Sequence, residues 1–238
     1  MGKVITDICS HDENVTIVAG ADMNTDAAAY PVYGSALDCR EEFDVIIDFS
    51  NVKALPSVLK LAGERNKPLI MCTTGLTEDD KKSLFALSEK TAVFYSGNMS
   101  LGINILIGLV KKAAAVLYPD FDIEVVEAHH NQKLDAPSGT ALMIADAING
   151  TLDNQLEYVY DRHTDMKKRD KKELGMHSIR GGSIVGEHSV IFAGPEEVLT
   201  VSHSAQSRNV FARGAVAAAK FMCGKPAGLY TMQDLIGK

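Results

Sequence analysis

The chain has 238 residues, a formal net charge of −7 and 46% hydrophobic residues, enough for one large core or two modest ones. The acidic balance argues against a nucleic-acid partner, and no apolar run is long enough to span a membrane. Four scattered cysteines (Cys9, Cys39, Cys72, Cys223) with no CxxC pair or metal spacing, and a start unlike a signal peptide, point to reduced thiols in the cytoplasm.

Helical and extended patterns alternate through the first hundred residues. Val4–Ser10 predicts a helix, Val15–Ala21 a strand ending at Gly20-Ala21-Asp22, and Val45–Phe49 a continuous buried strand. Ser50 or Asn51 caps the next helix, which runs through Glu64; Pro56 lies inside it, which demands a kink or a late start. Leu69–Cys72 is the following strand, Thr77-Glu78-Asp79-Asp80 a capping box for a helix through Lys90, and Ala92–Ser96 another strand. This order predicts an α/β fold with a Rossmann-like, doubly wound parallel sheet. After Asn98 the pattern changes to a helix over Leu101–Leu117, a strand over Ile123–Ala128 and a helix over Thr140–Ile148. Residues 151–180 are polar, and the charge run Met166–Glu173 reads as a solvated surface loop. Gly186–Ala193 and Glu197–His203 form a hairpin around Gly194-Pro195-Glu196, and the Ala-rich Asn209–Met222 is a helix. One domain is expected from 1–100 with 209–238, and an inserted α+β domain from 101–208.

The run Glu127–Leu142, EAHHNQKLDAPSGTAL, is the densest in chemistry. The preceding β-branched residues place His129 and His130 at or just past a strand end. Pro137 halts the backbone, Ser138 can cap, and Gly139–Thr140 lead into the apolar Ala141–Ile144. Unpaired N–H groups and the dipole at such a helix start suit a carboxylate. An imidazole acid, the Lys133 ammonium and an anion cradle thus converge on one loop, which suits reduction of a small acidic substrate. Asp135 is either a turn residue or a group that orients a neighbour. In an acidic chain, Lys133 and Arg180 also carry weight as local positive charge. A metal site built from His129, His130, His188 and His203 is disfavoured, because adjacent strand residues point to opposite sides and no acidic ligand has a motif spacing. Cys72 reads as a small apolar residue closing a buried strand, not as a nucleophile.

The motif HHxxKxDAPSGTAL resembles that of the 4-hydroxy-tetrahydrodipicolinate reductase (dihydrodipicolinate reductase) family of lysine and diaminopimelate biosynthesis. Similar matches occur at Asp48-Phe49-Ser50, Cys72-Thr73-Thr74-Gly75, Gly97-Asn98-Met99-Ser100, Arg180-Gly181-Gly182, Val185-Gly186-Glu187-His188 and Gly224–Ile236. The resemblance spans the chain and implies a cyclic dicarboxylate substrate reduced by NADH or NADPH. It implies that His129 is the proton donor, that Lys133 supplies positive charge, and that His130, Ser138, Gly139 and Thr140 hold the substrate carboxylates. Residues 1–100 and 209–238 would bind the dinucleotide, with Cys72, Thr73, Thr74, Ser96, Gly97, Asn98 and Met99 lining the nicotinamide side. The family forms homotetramers through the sheets of its substrate domains. Asp22, at the end of the second strand, is placed to accept from adenosine ribose hydroxyls. Met23, Asn24 and Thr25 follow it with no nearby Arg or Lys, which favours NADH, although the family accepts both cofactors. Family members open with a strand and a glycine loop ending in Met-Gly, whereas this sequence begins at Met1-Gly2, so that strand and the pyrophosphate cradle are expected to be missing from it. Two alternatives are a dicarboxylate-binding protein without catalysis and another two-domain amino-acid or sugar dehydrogenase. NADH oxidation separates the first, and the length of the DAPSGTAL match argues against the second.

Overall fold

The computed structural model describes residues 1–25 and 28–237, and the chain divides into two units, Met1–Leu101 with Asn209–Lys238, and Gly102–Arg208. Residue 238, the last of the 209–238 segment, lies outside the described residues. In the first unit, helix α1 (Gly2–Ser10) rests Ile5 and Cys9 on Ala212 and Val216. Strands β1 (Gly20–Ala21) and β2 (Val32–Tyr33) form a separate parallel pair. The strand expected over Val15–Ala21 therefore makes ladder bonds only at its last two residues, where β2 lies alongside. Val15 and Ile17 still face the apolar cluster around α1. β2 itself was not expected, since two residues are too few to show alternation.

β3 (Ile46–Asp48), β4 (Leu69–Met71) and β5 (Ala92–Tyr95) pair in parallel in that order. Between them run α2 (Leu55–Arg65) and α3 (Glu78–Ser88). The start of α2 is late: the Asn51 side chain accepts the Lys53 N–H and caps a 3-10 turn, Val52–Ala54. Pro56 thus falls in the first turn of α2, where its missing N–H has no partner to lose. Thr77 and Asp80 close the capping box on α3. Leu69, Met71 and Val93 face α2 and α3, while Ile70 and Phe94 point the opposite way. Both faces of β4 and β5 are buried, which is why they read as continuous apolar runs. β3, expected to be buried throughout, is a half-buried edge strand with only Asp48 buried.

In the second unit, helix α4 (Leu101–Leu117) buries Ile103, Leu106, Ile107, Val110 and Ala114 as one stripe and leaves Lys111 and Lys112 in solvent. β6 (Asp122–His129) leads through a loop to α5 (Gly139–Thr151). β7 (Glu157–Val159), β8 (Glu173–Arg180), β9 (Glu187–Ala193) and β10 (Val198–Ser204) complete a mixed sheet of order β10-β9-β6-β8-β7. Its inner face, with Ile123, Val125, Leu174, Met176, Val190 and Phe192, is covered by α4 and α5. The β9–β10 hairpin is present with the register Ala193↔Val198. Within the polar stretch 151–180, β7 and β8 are a correction to the sequence reading. The charge run itself is an exposed segment, as expected, except that Arg169 is half-buried and its last residue, Glu173, is buried and opens β8, an interior strand. Two of its charges, Arg169 and Glu173, are held at the sheet, while the lysines of the run are exposed. Arg169 donates to Glu124 (2.9 Å), Asp122 (3.1 Å) and the carbonyls of Ile123 and Glu173, and Arg162 pairs with Glu173 and Glu124. Gly175 makes room for this network: a Cβ there would lie 1.6 Å from Glu124 Oε2.

The chain then returns to the first unit. α6 (Asn209–Met222) lays Ala215, Ala218, Ala219 and Met222 on Ile70 and Phe94. β11 (Gly228–Tyr230) pairs in parallel with β5, and α7 (Met232–Ile236) follows. The sheet order is β11-β5-β4-β3 with helices on both faces, the doubly wound α/β plan expected. Among the described residues no helix is long and apolar enough to cross a membrane.

Candidate active site

Strand register gathers the site of the second unit. On β6, Glu127 and His129 are two residues apart and share a face. Parallel pairing puts Ser178 and Arg180 of β8 opposite Glu127 and His129, and antiparallel pairing puts His188 of β9 opposite Glu127. Residues directly opposite in a sheet project to the same side, so five polar side chains from three strands meet on one face. His129 is the last residue of β6 and His130 the first of the loop, where the sequence placed them.

Glu127 is the hub, only 1% exposed. Its Oε1 accepts from Arg180 Nη2 (2.7 Å) and from the Ser138 N–H (3.1 Å); its Oε2 accepts from Arg180 Nη1 (2.9 Å) and from His129 Nδ1 (2.6 Å). Burial pushes the carboxyl up, but Arg180, Ser178, His129 and the Ser138 N–H together outweigh it and hold the group down to about 2. An ionised acceptor at Nδ1 fixes a proton there and leaves Nε2 as the nitrogen that can give or take one. Nε2 faces Gly186, where an added Cβ would lie 3.1 Å away.

His188 stands edge-on to His129, ring centroids 5.2 Å apart, and is lowered to about 4 by burial and then by His129. Its Nε2 lies 3.1 Å from Ser138 Oγ, and that oxygen also accepts the Ala141 N–H at 3.2 Å as the N-cap of α5. Ser138 is thus buried and engaged in the cap, and the accessible part of the cradle is exposed Gly139 and half-buried Thr140. In the connecting loop, Lys133 Nζ pairs with Asp135 Oδ1 at 2.8 Å, which lowers the Asp135 carboxyl. Asp135 is therefore a partner of Lys133, and its backbone oxygen accepts from Arg180 Nη2 at 2.6 Å. Arg180 does not serve as a free cation, since its guanidinium is matched bidentately to Glu127. Glu127 and Ser178 were given no role from sequence, and Gly186 and His188 appeared only in a family match and, for His188, in a disfavoured metal set; strand alternation before His129 was the available signal for Glu127.

In the first unit, Cys72, Thr73 and Thr74 follow β4, and Ser96 and Gly97 follow the adjacent β5. The C-terminal ends of parallel strands are where open α/β sheets bind ligands. Thr73 is buried and donates to Asp48 Oδ2 at 2.8 Å, bracing β4 to β3. Thr74 is exposed beside Gly75, whose φ of +78° makes the turn. Ser96 Oγ donates to the Asn98 carbonyl (2.8 Å), and Asn98 Oδ1 accepts the Ser100 N–H (2.8 Å), an ordered turn with Gly97 at its exposed tip. Cys72 and Met99 are core residues; burial drives the Cys72 thiol far above its usual range, with Asp48 adding to the effect. Asp22 is exposed just past β1, and its Oδ1 accepts the Asn24 N–H at 3.0 Å. An acceptor carboxylate at one strand end, with hydroxyls and turns at two others, fits the ribose and nicotinamide ends of a dinucleotide.

Comparison with known proteins agrees along the whole chain. Family models described as dihydrodipicolinate reductase, N-terminus and C-terminus, match residues 1–99 and 102–236. The 4-hydroxy-tetrahydrodipicolinate reductase of Caldanaerobacter subterraneus subsp. tengcongensis is 54% identical over 238 residues, 100% of this chain and 94% of that protein. The enzyme of the same name from Clostridium novyi is 44% identical, covering 99% of this chain and 94% of its own length. A dipicolinate-bound dihydrodipicolinate reductase from Paenisporosarcina sp. TG-14 has the same fold, with a TM-score of 0.81 at 23% identity over 99% of this chain and 94% of that one. With both halves matched and relatives aligned nearly end to end, the chain belongs to the dihydrodipicolinate reductase family.

Proposed function

We propose that the protein reduces 4-hydroxy-tetrahydrodipicolinate to tetrahydrodipicolinate with NADH or NADPH, a step of diaminopimelate and lysine biosynthesis. The net change adds a hydride and a proton and releases water. A reduced nicotinamide, when bound, supplies the hydride; Thr74, Ser96 and Gly97 are the accessible residues for that ring, with Cys72, Thr73, Asn98 and Met99 shaping the turns beneath. His129 delivers the proton from Nε2 to the electron-rich centre left in the ring. Lys133 supplies positive charge where negative charge develops. His130, Gly139 and Thr140 hold the carboxylates at the start of α5, which Ser138 caps. The observation that carries this reading is the single carboxylate of Glu127 binding both His129 and the Ser138 N–H, which ties an imidazole acid to an anion cradle.

Replacing His129 or Lys133 by Ala is expected to lower turnover on the order of 10²-fold or more, the size of general-acid and charge-stabilising effects. Steady-state oxidation of NADH with substrate checks this, and turnover within a few-fold of the parent for both variants would remove the assignment. For the cofactor, Asp22 accepts from free ribose hydroxyls and repels a 2′-phosphate, so NADH is preferred or equal. A tenfold higher kcat/KM with NADPH, about 1.4 kcal/mol, would show that another cation governs that pocket.

A further inference from the structure

Glu127 is a buried carboxylate with almost no exposure of its own, yet its partners are the pieces the reaction needs. Each carboxylate oxygen accepts two of the four hydrogen bonds given above, and Ser178 adds to them. Its negative charge is matched by Arg180, which is itself anchored to the carbonyls of Ile179 (2.7 Å) and Asp135. So saturated a carboxylate is a poor base: it can orient the imidazole without taking its proton. The neighbouring His188 stays neutral, so a protonated His129 meets no second imidazolium. Gly186 leaves Nε2 open, since even a methyl group there would crowd it.

We propose that Glu127 is a positioning residue: its ionised carboxylate, held by Arg180, locks His129 with its proton on Nδ1 and aims Nε2, and by binding the Ser138 N–H it sets that histidine in register with the start of α5. This rests on the functional reading above. The same logic operates where a buried acid orients a catalytic imidazole, and loss of the acid there costs turnover more than binding.

The test compares the parent with Glu127→Gln, Glu127→Gln/Arg180→Met and His129→Gln, using NADH and 4-hydroxy-tetrahydrodipicolinate. ¹⁵N NMR of the His129 ring reads the tautomer, and pyridine-2,6-dicarboxylate serves as the binding probe. In Glu127→Gln, kcat is expected to fall by a factor on the order of 10–10³ with KM within about threefold. The ring nitrogens should lose the Nδ1–H preference, and the alkaline limb of the kcat/KM profile should move to lower pH. The double variant removes both buried charges together, which avoids leaving a guanidinium unpaired, and should show the same tautomer loss if the single variant does not fold. A parent-like tautomer, pH profile and kcat in a folded variant that still binds the probe would overturn the proposal. No NADH oxidation by the parent, or full turnover in His129→Gln, would instead overturn the functional reading, while the NMR result would still decide what Glu127 does to the ring.

Discussion

At the scale of single residues, the polar groups buried around His129 tie the chemistry of the site to folding stability. His188 is lowered to about 4, chiefly by burial, whereas an unfolded imidazole titrates near 6.5. Between those values the unfolded chain binds a proton that the folded chain refuses. Stability is therefore complete above about pH 6.5 and falls by roughly 3 kcal/mol as the pH drops to about 4. Glu127 acts in the same direction at lower pH. Its carboxyl sits at about 2, so its contribution is present above the ordinary value near 4.3 and is lost as the pH approaches 2. Thermal unfolding followed from pH 7 to pH 4 should show a falling Tm, and His188→Gln should flatten that fall. Parallel curves for parent and variant would mean that another group carries the dependence.

At the scale of elements, the helices and strands that seat the site depend on close approaches as much as on pattern. A Cβ at Gly214 on α6 would lie 1.7 Å from the Met99 carbonyl oxygen, a backbone atom that cannot swing aside. Gly214→Ala should cost about 1–3 kcal/mol by overpacking, a Tm lower by several degrees, and should loosen the turn after β5. An unchanged Tm would show that α6 can shift freely. Much of this scale was legible beforehand. The Thr77–Asp80 capping box, the α4 stripe and the β9–β10 hairpin each announce themselves locally, and His129, Lys133 and Ser138 lie in one contiguous run. Glu127 was legible only through alternation on β6. Arg180, Ser178 and His188 reach it through pairings between distant strands, which no spacing reveals. The same blindness hid β8, because nothing local shows that Arg169, in an otherwise exposed run, has carbonyls and carboxylates of the sheet waiting for it. Arg180 was given weight as local positive charge, and its pairing with Glu127 shows that a buried acid has the stronger claim on that charge.

At the scale of the whole molecule, two units with separate cores are threaded by a chain that leaves the first after Leu101 and rejoins it at Asn209. The inserted unit is contiguous, so every partner of its sheet lies between Gly102 and Arg208. The first unit is not: Ile70 and Phe94 await α6, and the edge of β5 awaits β11. This arrangement dictates a birth order. Domains ordinarily fold in the sequence in which the ribosome releases them, but here the segment made second can finish first. The earlier segment must emerge with an apolar sheet face bare and a strand edge unpaired, the kind of surface that chaperones bind and that aggregates form on. Nascent chains stalled just after Arg208 has cleared the ribosome should therefore resist protease across Gly102–Arg208 and be cut within Met1–Leu101. Equal protection of both would show that the first half can hold itself together without its last helix and strand. If the order holds, the hazard in making this enzyme is the time the opening half spends waiting for its own ending.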